Sequence, residues 1–238
     1  MWKTPWKYPL AADACGRFLE RPNRFLARVE LEGKIIEVHV HDPGRLPQVL
    51  LPGTPVLIKY RPGPKRRTSW DLLAGKAAGH WVFAHSGYHR PLTQTLLSER
   101  GPDIFPGLKA FKPEPQVNKG RLDYLLELEK GDRMFVEIKG CTLAEGQKAL
   151  FPDAPTSRGR KHLQVLTELK KQGIKALVWL LVFRPECTCF APAGGIDPLF
   201  TRAFYEALEV GVELKIFQFS YDGRFLRLEK ALPLCEVS

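Results

Sequence analysis

Apolar and polar residues alternate in short runs along the first third of the chain. Residues 24–31 and 34–40 alternate on either side of Glu32-Gly33-Lys34, and this pattern predicts a β-hairpin. Five short strands within about sixty residues indicate a small antiparallel barrel of the OB-like type, which closes its own edges and commonly binds nucleic acid strands. The other three strands are predicted near 55–60, 68–74 and 80–84.

From residue 91 onward, helical and extended patterns follow one another. The run 174–183 is nearly all apolar, as is typical of a strand buried on both faces. The order helix, three strands, helix, strand, helix, strand is that of a PD-(D/E)xK nuclease-like core. The sequence thus predicts an α/β (α+β) chain with an OB-like barrel in 1–90 and a nuclease-like domain in 91–238. The predicted elements are helices at 91–99, 157–172 and 198–210, and extended segments at 109–117, 121–128, 133–139, 174–183 and 212–219.

The segments 121–128 and 133–139 carry the most informative charged residues. Alternate side chains share a face of a strand, so Glu137 and Lys139 should point the same way, while Ile138 points into the core. Asp123 is expected on the neighbouring strand of the hairpin. Two carboxylates and an ammonium suit a hard divalent cation and the phosphate that it polarises. Asp123 and Glu137 are therefore candidate ligands of Mg²⁺ or Mn²⁺ in a catalytic site completed by Lys139. The alternative is an exposed charged strand.

Glu-x-Lys alone is a weak signal, because it recurs along the chain, for example at 32–34, 137–139 and 168–170. The first copy flanks a predicted turn. The third lies in a helical pattern, where residues two apart do not face each other. Only the copy at 137–139 follows an apolar strand and has an acid on a neighbouring strand, so context selects it.

Three further acids are candidate accessory residues of the same site. Glu99 ends the first predicted helix, where a solvated side chain is the alternative. Glu145 and Asp153 follow the strand that carries Glu137, and either could support the metal. Asp153 precedes Ala-Pro-Thr, so it could equally form a turn.

Two clusters of cations are candidate nucleic-acid contacts. Lys65, Arg66 and Arg67 lie in one connection that ends at Trp70, which predicts a backbone clamp with a stacking ring or, alternatively, a mobile charged hairpin tip. The second cluster lies near the start of the helix at 157–172, where free backbone N–H groups favour a phosphate. Its members are Arg158, Arg160, Lys161 and His162.

The net charge of +10 is concentrated at the start of the chain. Residues 1–90 contain 15 Lys and Arg against 7 Asp and Glu, whereas residues 91–238 contain 21 against 19. Such a basic module favours a polyanionic partner, because phosphate neutralisation dominates nucleic-acid binding. No apolar run approaches the roughly 18 residues of a membrane span, and the first residues lack the apolar core of a signal peptide.

The remaining polar residues carry less information. The 5 cysteines form an odd, scattered set, which predicts free thiols in a reducing cytoplasm, and a cytoplasmic location is expected. Four residues without evident partners are interpreted as surface or satisfied core residues: Asp13, His39, His41 and His80.

Several short segments together match the pattern of one known family: Arg121-Leu-Asp-Tyr, Val136-Glu-Ile-Lys, Thr142-Leu, Ala149–Leu163, Arg24-Phe-Leu-Ala, Val38-His, Arg184-Pro and Ile196-Asp-Pro. On these segments the chain resembles the sugar fermentation stimulation protein family. The resemblance implies an N-terminal OB-like domain, a C-terminal nuclease-like domain and DNA binding, in a family described mainly as regulators of sugar (maltose) metabolism. The chain departs from the family pattern at 40–44, His85, His89 and Gly140, positions that could line a groove between the domains.

Two functions remain open on the sequence. One is a metal-dependent phosphodiesterase that acts on DNA or RNA. The other is a DNA-binding regulator of sugar (maltose) metabolism that keeps the nuclease scaffold without turnover. Carboxylates in a DNA groove repel the backbone unless a cation lies between them, which favours the first. The sequence leaves the oligomeric state open, and a dimer would be compatible with it.

Overall fold

The structure is a computed structural model, and it describes residues 5–117 and 120–236. Its first seven strands come before any α-helix. A tight turn joins β3 to β4, and Glu32 and Gly33 both adopt positive φ there (51° and 75°), as a two-residue hairpin loop requires. The strands are β1 (Trp6–Pro9), β2 (Ala14–Asn23), β3 (Leu26–Leu31), β4 (Lys34–His39), β5 (Pro55–Tyr60), β6 (Trp70–Ala77) and β7 (His80–Phe83).

Within residues 5–117, β4, β3, β2, β5 and β6 form a closed barrel, because β6 pairs back onto β4 in parallel at Val38 and Trp70. The predicted OB-like barrel is confirmed, with one correction to its strands. The fifth member is β2, which the sequence did not predict, and β7 lies outside the closed ring. β2 was missed because Arg17, Glu20 and Arg21 interrupt its apolar alternation.

The second part of the chain contains the predicted helices and strands in the predicted order, and it adds strands that the sequence did not predict, at Leu143–Glu145, Lys148–Phe151, Cys189–Pro192 and Phe225–Ala231. Helix α1 begins two residues before Pro91 and continues past Glu99. The elements of this second part are α1 (His89–Ile104), β8 (Leu108–Pro113), β9 (Gln116–Val117), β10 (Gly120–Arg121), β11 (Tyr124–Leu128), β12 (Arg133–Cys141), β13 (Leu143–Glu145), β14 (Lys148–Phe151), α2 (Ser157–Lys171), β15 (Lys175–Val182), β16 (Cys189–Pro192), α3 (Pro198–Glu209), β17 (Glu213–Tyr221) and β18 (Phe225–Ala231).

Strand β15 is the centre of the second part. It pairs in parallel with β12 on one side and β17 on the other. Trp179 faces a core that continues into the barrel, whereas Val178 and Leu180 face a second core beneath α2 and α3. The predicted two-sided burial of this strand is confirmed, and the mixed α/β fold with it.

Strand β7 connects the two parts of the chain. It pairs with β6 of the barrel and meets β17 at Trp81 and Tyr221, so one sheet runs from the barrel into the second part of the chain. Phe83 on β7 packs against Phe183 and Tyr221 in the core that both parts share. This continuity fixes the barrel relative to the second part.

The expectation that all cysteines are free thiols is wrong. Cys189 and Cys235 form a disulfide, whereas Cys15, Cys141 and Cys187 are free. The C-terminal segment runs beside β16, and the Cys235 N–H donates to the Phe190 carbonyl at 2.8 Å. The sequence spacing could not show this proximity, because 46 residues separate the two bonded cysteines.

No helix among residues 5–117 and 120–236 is long and apolar enough to cross a membrane.

Candidate metal site and interdomain cleft

The hairpin of β11 and β12 places Asp123 beside Glu137. Tyr124 pairs with Val136, and the Asp123 N–H donates to the Val136 carbonyl at 3.1 Å. The Asp123 carboxylate also accepts a hydrogen bond from the Ile138 N–H at 2.6 Å. Asp123 therefore precedes its strand by one residue, and two bonds hold it against β12.

Glu137 is the most buried acid of this group, with 3% of its surface exposed. Its Oε1 atom accepts a hydrogen bond from Lys139 Nζ at 2.5 Å and contacts His162 Nδ1 from helix α2. Ile138 points to the opposite side, into the core. The structure thus brings Asp123, Glu137 and Lys139 together and adds His162.

The two carboxylates have opposite pKa shifts. Burial and the neighbouring charge of Glu137 raise the pKa of Asp123 to about 6. Burial alone would raise the pKa of Glu137 as well, but His162 and Lys139 outweigh it and hold that pKa below its usual range. Glu137 is therefore ionised at neutral pH, and its negative charge opposes the ionisation of Asp123.

The donors of this site fit a hard divalent cation. Glu137 Oε2 is buried and has no hydrogen-bond partner among the described residues. A buried carboxylate oxygen without a partner is costly, and a cation would satisfy it. Carboxylate oxygens are the ligands that Mg²⁺ and Mn²⁺ prefer.

A cleft of about 490 Å³ lies between the barrel and the second part of the chain. Asp42, Pro43 and Gly44 line it from the barrel, and Gly140, directly after Lys139, lines it from β12. Of the positions predicted to line a groove, His85 is instead buried in the core region. The His89 ring occupies the space where a side chain at position 140 would lie, because a Cβ there would be 2.3 Å from it.

The barrel wall of the cleft is held by charged side chains. Asp153 accepts a hydrogen bond from the Leu46 N–H at 2.8 Å, which ties the loop 42–46 to the segment after β14. Arg21 donates to the carbonyls of Asp42 and Gly44 at 2.9 and 2.7 Å. Burial raises the pKa of Asp42 to about 6. Asp153 is therefore engaged in joining the two parts of the chain.

The other two accessory candidates do not bond to Asp123 or Glu137. The Glu99 carboxylate accepts a hydrogen bond from Trp6 Nε1 at 2.7 Å, which ties α1 to β1. Glu145 is exposed on β13.

The predicted nucleic-acid contacts divide into engaged and exposed cations. Arg66 forms an ion pair with Asp71, and Arg160 one with Asp197 at 3.2 Å. Lys65 and Arg67, on either side of Arg66 in sequence, are exposed and line a groove on the barrel. His162 contacts Glu137, Lys161 is exposed, and Arg158 lines the interdomain cleft.

A second polar cluster was not predicted from the sequence. His41, which was interpreted as a surface or satisfied core residue, lies with its Nε2 atom 3.2 Å from a carboxylate oxygen of Asp71. His85 Nε2 lies 3.9 Å from the other oxygen of the same carboxylate. Asp71 is completely buried on β6. The one available signal was a lone acid at the start of an apolar strand, between Trp70 and Leu72.

Two family models match the chain and divide it between β7 and α1. The SfsA N-terminal OB domain matches residues 19–84, and the sugar fermentation stimulation protein RE domain matches residues 87–225.

Relatives and a solved structure match nearly the whole chain. A sugar fermentation stimulation protein homolog of Thermotoga petrophila is 42% identical over 227 residues, which cover 95% of this chain and 97% of that protein. A homolog of Methanococcoides burtonii is 37% identical over 237 residues, which cover 97% and 93%. The structure of SfsA from Pyrococcus furiosus in complex with Ca²⁺ superposes with a TM-score of 0.86 at 27% identity, covering 95% of this chain and 98% of that one. The chain therefore belongs to the sugar fermentation stimulation protein family.

Proposed function

We propose that this protein binds DNA along its interdomain cleft and hydrolyses a phosphodiester bond at Asp123, Glu137 and Lys139, with Mg²⁺ or Mn²⁺ as cofactor. The observation that carries the proposal is the Glu137 carboxylate, which is buried and ionised and has one oxygen without a partner. The related structure from Pyrococcus furiosus contains Ca²⁺, a hard cation that prefers oxygen ligands like Mg²⁺.

The chemistry assigns a distinct role to each side chain. Asp123 and Glu137 would hold the ion, and a bound divalent cation supplies Lewis-acid polarisation of the phosphate and lowers the pKa of a coordinated water. Lys139 would stabilise the negative charge that develops on the phosphate oxygens. His162 is a positioning residue, because it contacts Glu137 and limits the orientations of its carboxylate.

The DNA backbone has cationic contacts on both walls of the cleft. Arg24 lines it from the barrel and Arg158 from the segment that begins α2. Lys65 and Arg67 would extend this track along the barrel, since they are exposed and not held by Asp71. Such contacts set affinity and salt dependence without selecting a sequence.

A non-catalytic DNA-binding regulator of sugar (maltose) metabolism is the second candidate. One observation favours it: Lys139 and His162 already contact the Glu137 carboxylate. The Lys139 ammonium offsets part of the charge that a metal ion would otherwise neutralise. A protein that only binds DNA could keep this arrangement for structural reasons.

A cleavage assay separates the two functions. Single-stranded, double-stranded and branched DNA, together with RNA, are incubated with the protein in EDTA, Mg²⁺ or Mn²⁺. The test variant is Glu137→Gln, and the matched control is Glu168→Gln, an exposed acid of another Glu-x-Lys sequence. Metal-dependent cleavage that is lost only in Glu137→Gln supports the nuclease. DNA that is retarded but uncut under every condition supports the regulator. Cleavage of RNA without cleavage of DNA would identify RNA as the substrate.

A cytoplasmic location is part of this proposal, because a protein that acts on the DNA of a cell would have to reach it there. The disulfide between Cys189 and Cys235 is compatible with it only under conditions that keep intracellular thiols oxidised, as in hyperthermophiles. The proposal leaves the oligomeric state open. Light scattering on the same preparations would distinguish a dimer from a monomer.

A further inference from the structure

His41, Asp71 and His85 form a second compact cluster, at the junction of the barrel and α1. His41 follows β4, Asp71 lies on β6, and His85 lies between β7 and α1. One donor atom from each residue lies within 4.8 Å of the other two. The His41 and His85 rings are stacked with their centres 3.8 Å apart.

The ring nitrogens of this cluster are poorly satisfied. Both ring nitrogens of His85 are buried without a hydrogen-bond partner among the described residues, and His41 Nε2 lies 3.2 Å from the Asp71 carboxylate without hydrogen-bond geometry. His85 is only 2% exposed, so water does not substitute for those partners. A buried imidazole with neither nitrogen satisfied costs free energy, unless a ligand that the protein binds there satisfies it.

We propose that His41, Asp71 and His85 bind a borderline divalent metal ion of the Zn²⁺ class, which joins the barrel to the start of α1. Two imidazoles and one carboxylate are a donor set that Zn²⁺ favours, and a fourth position remains open to water. This site differs from the one at Asp123 and Glu137, where oxygen donors select hard cations.

The distances suit a small ion. Metal–ligand bonds of about 2.0–2.2 Å in tetrahedral geometry place the donor atoms roughly 3.5 Å apart. The His41–Asp71 and His85–Asp71 separations, 3.2 and 3.9 Å, run to different oxygens of the carboxylate and lie on either side of that value.

Arg66 and the ion share the Asp71 carboxylate. In the structure the Arg66 guanidinium contacts both carboxylate oxygens, and it neutralises the charge that would attract the metal. Each carboxylate oxygen has two lone pairs, so the ion can bind beside Arg66 but is repelled by its charge. Removing Arg66 should therefore strengthen metal binding.

The test uses the full chain after removal of metals by a chelator. Zn²⁺ binding is measured by calorimetry, and Co²⁺ serves as a visible probe of a four-coordinate site. The variants are His85→Gln and His41→Gln/His85→Gln, with His80→Gln as the matched control, because His80 is exposed on β7. Glu137→Gln is measured in parallel to separate this site from the first one.

The expected result is one Zn²⁺ ion in the wild type, His80→Gln and Glu137→Gln, with a strong visible Co²⁺ band. His85→Gln should weaken Zn²⁺ binding by at least about 10–100-fold. Equal affinity in His85→Gln, or a wild type that lacks the Co²⁺ band, would overturn the proposal. If the histidine variants do not fold, Arg66→Ala decides: about 10-fold tighter binding supports the shared use of Asp71, and equal or weaker binding contradicts it.

Discussion

His162 on α2 contacts the carboxylate of Glu137 on β12, although 25 residues separate them in sequence. Its Nδ1 atom also lies 3.4 Å from Lys139 Nζ, so one helix contributes directly to the polar group on the strand. Together with Lys139, this imidazole holds the Glu137 pKa below its usual range in spite of burial. The helix start that was interpreted as a phosphate contact therefore also positions a candidate metal ligand.

Removal of His162 should shift the pH dependence of metal binding. In His162→Gln, burial acts on Glu137 with only Lys139 to oppose it, so the Glu137 pKa rises. Metal binding requires the ionised carboxylate, and the pH of half-maximal Mn²⁺ binding should move upward. Calorimetric titrations from pH 5 to pH 8 measure this shift, with His80→Gln as control; coincident profiles would show that His162 does not act through Glu137.

Asp123→Asn should stabilise the metal-free protein at neutral pH. The Asp123 pKa of about 6, against an ordinary value of 3.8, means that ionising this side chain costs the folded state about 2–3 kcal/mol. The cost is absent below pH 3.8 and complete above pH 6. The asparagine amide oxygen can still accept the Ile138 N–H.

Urea unfolding in EDTA at pH 4 and pH 8 checks this expectation. The variant should gain stability at pH 8 and show little difference at pH 4, while losing Mn²⁺ binding. A gain of the same size at both pH values would point to a cause other than the Asp123 charge.

Loss of two exposed barrel cations should weaken DNA binding uniformly. In Lys65→Ala/Arg67→Ala we expect a similar fall in affinity for every duplex sequence, and a salt slope smaller by about 2. Arg66 is left in place, because it holds Asp71. Lys170→Ala/Lys171→Ala removes the same charge at the far end of α2, and an equal effect there would indicate net charge alone as the cause.

Glu99 should matter for stability and not for metal binding. Glu99→Ala leaves Trp6 Nε1, which is largely buried, without its acceptor, and we expect a loss of about 1–2 kcal/mol in the free energy of unfolding. Glu99→Gln keeps an acceptor and should lose less. Reduced Mn²⁺ affinity in both variants would restore Glu99 as an accessory acid of the metal site.

The disulfide should contribute measurably to stability. Cys235→Ser opens a link between residues 46 positions apart, for which chain entropy predicts a loss of about 2–4 kcal/mol. Cys15→Ser removes an exposed free thiol and should have little effect. Denaturant titrations with and without reductant make the comparison, and a wild type that is indifferent to reductant would show that the link is not formed.

The local pattern of the sequence was sufficient for the hairpin and its charges. Alternation determines which strand residues share a face, so Glu137 and Lys139 were assigned to one side and Ile138 to the other before any tertiary information. The apolar run of β15 likewise indicated burial on both faces. These properties depend on neighbours within a few residues, which is why the sequence alone carries them.

Tertiary structure decided which distant side chains meet. His162 reaches Glu137, Asp153 reaches Leu46, and Cys189 reaches Cys235 only after helices and strands have packed. Asp71 shows the same limit of local sequence patterns. A lone acid in an apolar strand does not reveal that His41 and His85, which follow the ends of two other strands, lie beside it. Contacts between elements depend on chain direction, register and packing across the whole sheet, and no periodicity in a short window encodes them.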